Sequence, residues 1–202
     1  MGVGLGNTSK AHKKPIHGVG INDVDEPTHG YDRVLNPMYS AWKSMITRAY
    51  SEAWHKKKPT YKDVTVCPEW HYYSAFKAWM ETQDWEGKEL DKDIIVPGNK
   101  IYSPETCIFV SQEINAFFRE PKANKKLPNG VYDTPSGNYL ARASENGKRH
   151  NLGTYSTIEE AAAVAEEKRM ELLLRHLPTG NSRLDAAIMA KANKEQTMNL
   201  GF

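Results

Sequence analysis

A chain of 202 residues with 39% hydrophobic content suits one mid-sized domain or two small ones. Its 27 basic and 25 acidic side chains leave a formal net charge of +2, so any polyanion partner must be read from where charge lies, not from its sum. Two cysteines, Cys67 and Cys107, are too few for a disulfide scaffold or a four-cysteine zinc site and point to a reduced, intracellular setting. Residues 1–14 are Gly-rich and basic without the apolar core of a signal peptide. No window approaches the ~18 consecutive apolar residues of a membrane helix, and a soluble protein is expected.

Residues 1–36 are rich in Gly, Asn, Asp, Pro and His and read as an irregular arm. A helix is predicted over 37–51, with Asn36 as cap and Pro37 in the first turn. Tyr39, Trp42, Met45, Ile46 and Tyr50 form its apolar face, and plain core is the favoured reading of that stripe. A basic loop at 54–61, a short strand at 64–67 and a helix at 69–82 follow. Leu90–Ile94 reads as a strand end, 98–100 as a Gly/Asn loop, 102–107 as a second short strand, and 111–118 as a helix. Pro and Lys crowd 119–128, the mark of a basic linker.

Three strands are predicted at 130–132, 138–143 and 149–155. The turns between them are Pro135-Ser136-Gly137 and Asn146-Gly147, the latter a strong hairpin signal. Thr157 and Glu160 open a helix to 177 as a capping box. Pro178 to Asn181 stop it, and 183–195 has the composition of another helix. The fold class is therefore α+β. The expected organisation is an arm (1–36), a first domain (37–120), a linker (121–128), a sheet-plus-helix domain (129–177) and a tail (178–202).

The segment 90–115 carries the candidate chemistry. Asp91, Asp93, Asn99 and Asn115 offer hard oxygen ligands suited to Mg2+ or Mn2+ rather than zinc, and Asn115 would project from its helix over the hairpin. The alternative is turn chemistry, since Asp and Asn are common in loops. Cys67, Cys107 and His71 would make at most a three-ligand zinc set, and a buried cysteine is more often a small apolar residue.

These residues bring a resemblance with them. Gly18–Asp23, the Trp42/Met45/Arg48/Tyr50 helix, Val66-Cys67-Pro68-Glu69-Trp70, Trp79-Met80 and above all Leu90 to Asn115 resemble phage-encoded HNH-type endonucleases. Gly130-Val131-Tyr132, Leu152-Gly153-Thr154-Tyr155 and the Glu159-Glu160-Ala161-Ala162 helix are similar to the sheet-plus-helix DNA-binding domain of plant ethylene-response factors. Together they cover about three quarters of the chain. The resemblance implies a strand-loop-strand-helix finger with flanking helices, then a three-stranded antiparallel sheet packed on one helix.

It further implies double-stranded DNA as partner, cleavage or nicking with a divalent metal on Asp91, Asp93 and Asn115, and a cytoplasmic setting in a phage host. Asp91, Lys92 and Asp93 take the catalytic places, with Lys92 where the family has its basic histidine. A lysine is protonated at neutral pH and would hold a phosphate instead. Arg142, Lys148, Arg149, His150 and Tyr139 are the expected DNA-contacting residues. An inactive finger kept to bind DNA or a host protein is the alternative implied by the lost histidine.

Overall fold

The computed structural model describes residues 14–30, 34–119, 126–145 and 147–199. The arm's first 13 residues and linker residues 120–125 lie outside the described residues. In chain order the elements are α1 (Pro37–Tyr50), α2 (Glu52–Lys57), β1 (Thr65–Val66), α3 (Tyr73–Met80), β2 (Glu89–Asp91), β3 (Ile101–Tyr102), β4 (Ile108–Val110) and α4 (Gln112–Phe118). Then come β5 (Val131–Asp133), β6 (Tyr139–Glu145), β7 (Lys148–Tyr155), α5 (Ile158–Leu174) and α6 (Ser182–Asn199). No helix among the described residues is long and apolar enough to cross a membrane.

The chain divides into two compact units, but not at the expected linker. One comprises Met1–Asp84 with Gly98–Cys107, the other Trp85–Pro97 with Ile108–Phe202. The reason is a non-local core. Ile94, Ile108, Val110, Ile114 and Phe117 pack in one buried cluster with Met170, Leu173, Leu184 and Ile188. Each such side chain, fully buried, contributes roughly 1.5–3 kcal/mol.

The first unit is built on α1. The Asn36 side chain accepts from the backbone N–H of Met38 at 2.9 Å, satisfying an otherwise orphaned donor. Trp42, Met45, Ile46 and Ala49 are buried at helical spacing. Trp42 Nε1 donates to the Trp70 carbonyl at 2.8 Å, and Trp70 packs edge-on to Phe76. The stretch read as an arm is built into this unit from residue 14 to 30. Ile21 donates to the His71 carbonyl and accepts from Tyr73 N–H, while Asp23 accepts from Ser74 N–H at 2.9 Å. The short strand around Tyr102 pairs in parallel with β1, Val66 opposite Tyr102.

In the second unit β2 pairs antiparallel with β4, Glu89 opposite Val110 and Asp91 opposite Ile108. The hairpin partner of β2 is therefore Ile108–Val110, not the 102–107 stretch. Helix α4 follows at once, capped by Ser111, which accepts from Ile114 N–H at 3.2 Å. The Arg169 guanidinium donates to the Phe117 carbonyl at the far end of α4. The sheet is antiparallel in the order β5-β6-β7 and packs on α5, whose capping box at Thr157 and Glu160 is present.

Small residues let helix and sheet approach: Val131 and Ala141 pack with Ala161 and Ala165. Gly130 sits where they meet, at φ +79°, and a Cβ there would lie 2.6 Å from the Arg142 carbonyl oxygen and 2.8 Å from Ala165 Cβ. Gly130→Ala is expected to destabilise the protein by about 2–4 kcal/mol from left-handed strain and overpacking, measured by urea denaturation; a loss under about 0.5 kcal/mol, the size of an ordinary surface change, would contradict this packing.

Candidate functional site

Successive strand residues point to opposite faces, and directly paired residues share one. Glu89 and Asp91 therefore lie on the face of Ile108 and Val110, both members of the buried cluster, with Leu90 and Phe109 on the other face. This placement desolvates Asp91. Its pKa is raised above the usual carboxylate range, first by burial and then by the negative charge of Asp93 beside it; hydrogen bonds from the backbone N–H of Asp93 and Ile94 oppose the shift. Both N–H groups reach the same oxygen, Oδ1, at 2.8 Å. Asp91 thus closes a turn, the alternative read from the sequence, and it also feels the charge of Asp93.

Lys92 is buried, its side chain 8% exposed, and its Nζ lies 2.7 Å from Asp93 Oδ2. The ammonium at the histidine position is therefore paired with the neighbouring acid. A buried lysine needs such a carboxylate to balance its charge.

Asn115 does reach back to the hairpin, but to Glu89. Its Nδ2 donates to Glu89 Oε2 at 2.6 Å, and Arg119 approaches the same oxygen at 3.4 Å. Because a carboxylate accepts, Glu89 takes the NH2 side of the amide and leaves Asn115 Oδ1 as its acceptor. Glu89 is the residue that reading the sequence for Asp and Asn missed. Its signal was parity, two positions before Asp91 on the same strand face.

The residues present fit a divalent cation in part. Asp91 and Asp93 supply adjacent hard oxygen donors whose mutual repulsion a cation would relieve, and Asn115 supplies an oriented amide oxygen. Among the described residues no three His, Cys, Asp or Glu side chains form a metal-holding group, so Asp91, Asp93 and Glu89 are not a carboxylate triad. The same holds for Cys67, Cys107 and His71. His71 Nε2 lies 3.1 Å from the Val66 carbonyl and 3.2 Å from the Tyr50 hydroxyl, which places it in the framework of the first unit. Burial also raises the Cys67 thiol above its ordinary range.

The sheet separates its charges by face. Ala141 and Ala143 are buried, so Tyr139, Ala141, Ala143 and Glu145 turn toward α5, while Leu140, Arg142 and Ser144 turn outward. Register carries this onto β7: His150 pairs with Ala143 and Lys148 with Glu145, on the helix side, whereas Arg149 pairs with Ser144 and Asn151 with Arg142, on the outer side. Three of the residues expected to contact DNA thus lie on the helix side. Tyr139 packs against the Val131–Ala141 cluster, His150 lies 3.9 Å from Glu145, and Lys148 is opposite Glu145, which also pairs with Arg175 at 2.8 Å.

Arg142 and Arg149 remain on the outer face. Arg142 Nε donates to Asn151 Oδ1 at 3.0 Å, and the guanidinium lies over the Tyr132 ring, 4.8 Å from its centroid. The two contacts restrain the plane of the guanidinium fork. Asn151 was not foreseen; its place opposite Arg142 depends on the register shift beside Ala141 and Arg142.

The chain matches no protein-family model, no curated protein and no solved structure.

The carboxylate pair has a measurable pH signature. A carboxyl with a raised folded-state pKa adds stability below its unfolded pKa of about 3.9 and loses that contribution as pH rises through the folded value. Asn at position 91 retains an oxygen for the two backbone N–H groups and carries no charge. Asp91→Asn is expected to melt above wild type at about pH 7 in chelator, the two converging below about pH 4. A mutant that melts below wild type at neutral pH would refute the repulsion.

Proposed function

We propose that this protein binds duplex DNA through the outer face of the β5-β6-β7 sheet, and that its β2–β4–α4 finger cuts or nicks the DNA with Mg2+ or Mn2+. The observation that carries the reading is the separation of charge across the sheet. The outer face presents Arg142, Arg149, Asn151 and Tyr132, and the strand carboxylate Glu145 turns to the helix side. Paired-strand ribbons fit the major groove, where an arginine held in plane makes two bonds to one guanine edge.

The finger supports the cleavage half of the proposal by topology and chemistry. Two antiparallel strands lead into a helix, with Asp91, Asp93 and the Asn115 oxygen as the groups to hold the cation. Such an ion, when bound, neutralises the carboxylate pair and polarises a phosphate. Glu89 orients Asn115. The phage-host setting and the family role stand on the sequence resemblance.

A second reading has one observation behind it. Lys92, at the position of the base, is buried and paired with Asp93, so no side chain there accepts a proton from water. On this reading the finger is an inactive scaffold that binds DNA or a host protein.

A supercoiled-plasmid assay with Mg2+ or Mn2+ separates the two. The expected outcome is nicking by wild type that is lost in Asp91→Ala and Asp93→Ala. Lys92→His, which restores a base beside Asp93, is expected to raise the rate on the order of 10²-fold. DNA binding with no cutting by wild type or Lys92→His would leave the inactive scaffold. Arg142→Ala is expected to weaken duplex binding by about 1–3 kcal/mol; unchanged binding in both Arg142→Ala and Arg149→Ala would remove the sheet from the interface.

A further inference from the structure

A second basic surface lies in the first unit. Residues 55–62 read His-Lys-Lys-Lys-Pro-Thr-Tyr-Lys, with no carboxylate among them. The fold gathers rather than disperses these charges. Lys58 N–H donates to the Trp54 carbonyl, ending α2, and Tyr61 and Lys62 N–H close the 3-10 turn on Lys58 and Pro59. Trp54 stacks edge-on to Tyr61, centroids 6.3 Å apart, which holds turn against helix. A fifth lysine arrives from 40 residues along the chain, as Lys100 Nζ donates to the Thr60 carbonyl at 3.2 Å.

Lys56, Lys57, Lys58, Lys62 and Lys100 are all exposed. Among the described residues none of the five is in an ion pair within 4 Å, whereas Lys77, Lys168 and Lys191 each are. Two carboxylates flank the patch, Glu52 at the start of α2 and Asp63 after Lys62; neither is in an ion pair with the five, which leaves lysine in excess. Five like charges held within one helix, one turn and one loop repel each other, and a row of phosphates relieves that repulsion.

We infer that the α2 surface formed by Lys56, Lys57, Lys58, Lys62 and Lys100 is a sequence-independent binding site for the phosphate backbone of duplex DNA. The inference rests on the proposed DNA-binding function and adds a second contact to it. Lysine suits this role: a point charge on a flexible stem follows a phosphate row without reading bases. The sheet face, with its fixed arginine, is the part built for base edges.

The test is the salt dependence of binding by the full chain to a mixed-sequence duplex, followed by fluorescence anisotropy. Each neutralised phosphate contributes about 0.9 to the slope of log K against log salt. Lys56→Gln/Lys57→Gln/Lys58→Gln is expected to lower that slope by about 3 with the melting temperature unchanged. A charge-matched control, Lys43→Gln/Lys168→Gln/Lys194→Gln, is expected to leave the slope where it is. An unchanged slope in the first triple variant, or an equal fall in the control, overturns the inference. If binding then still depends on Arg142 and Arg149, the proposed function stands without it. A wild-type chain that binds no duplex removes both.

Discussion

Three residues of β2 pair with three of β4, and the candidate site descends from that short ladder. The register sets Glu89 and Asp91 on the side of Val110 and Ile108. Asp91 there is desolvated and needs oriented partners, while the Glu89 side chain stays 44% exposed. Asp91 finds backbone N–H groups, and Glu89 finds the amide of Asn115, which α4 delivers because it starts two residues after β4 ends. A slip of one residue would turn both acids to the other face and dissolve the arrangement.

The ladder is itself held by a core drawn from far along the chain. Ile108, Val110, Ile114 and Phe117 share their buried cluster with Leu173 and Ile188, and Arg169 anchors the end of α4. The finger and the sheet module are thus one folded unit, not two beads on a linker. A change in α5 that loosens this cluster would disturb Asp91 and Asn115 without touching either. The Lys92–Asp93 pair fits the same logic: inside such a core a cation must have its own acid, and the acid it takes is one a metal site would want.

Much of this was legible in the residues. Asn36-Pro37 and the Trp42/Met45/Ile46 spacing place α1 to within a residue, and Thr157 with Glu160 marks the start of α5. Gly147 lies in the β6–β7 turn, and Asn146 lies outside the described residues. The partner of β2 was not legible, because Ile101-Tyr102 and Ile108-Phe109-Val110 are both short apolar runs and only the tertiary pairing of Tyr102 with Val66 decides between them. The division into units depends on a core that spans more than sixty positions, from Ile108 to Leu173, which no local pattern encodes. The face of each sheet residue was legible in principle. The buried Ala141 and Ala143 fix the parity of β6, which puts Tyr139 and, by pairing, His150 on the helix side; the extra residue in β7 hides the same parity for Asn151.

The central claim is that Asp91, Asp93 and an Asn115 oriented by Glu89 hold one divalent cation. Titration of the full chain with Mn2+, followed by electron paramagnetic resonance, tests it without needing turnover. One site is expected in wild type and none in Asp91→Asn. Glu89→Ala should bind about 10–100-fold more weakly, the usual cost of losing a group that orients a ligand, while Glu89→Gln, whose Oε1 still accepts from Asn115, should stay near wild type. A wild-type protein that takes up no Mn2+, or an Asp91→Asn variant that takes it up equally well, would contradict the claim.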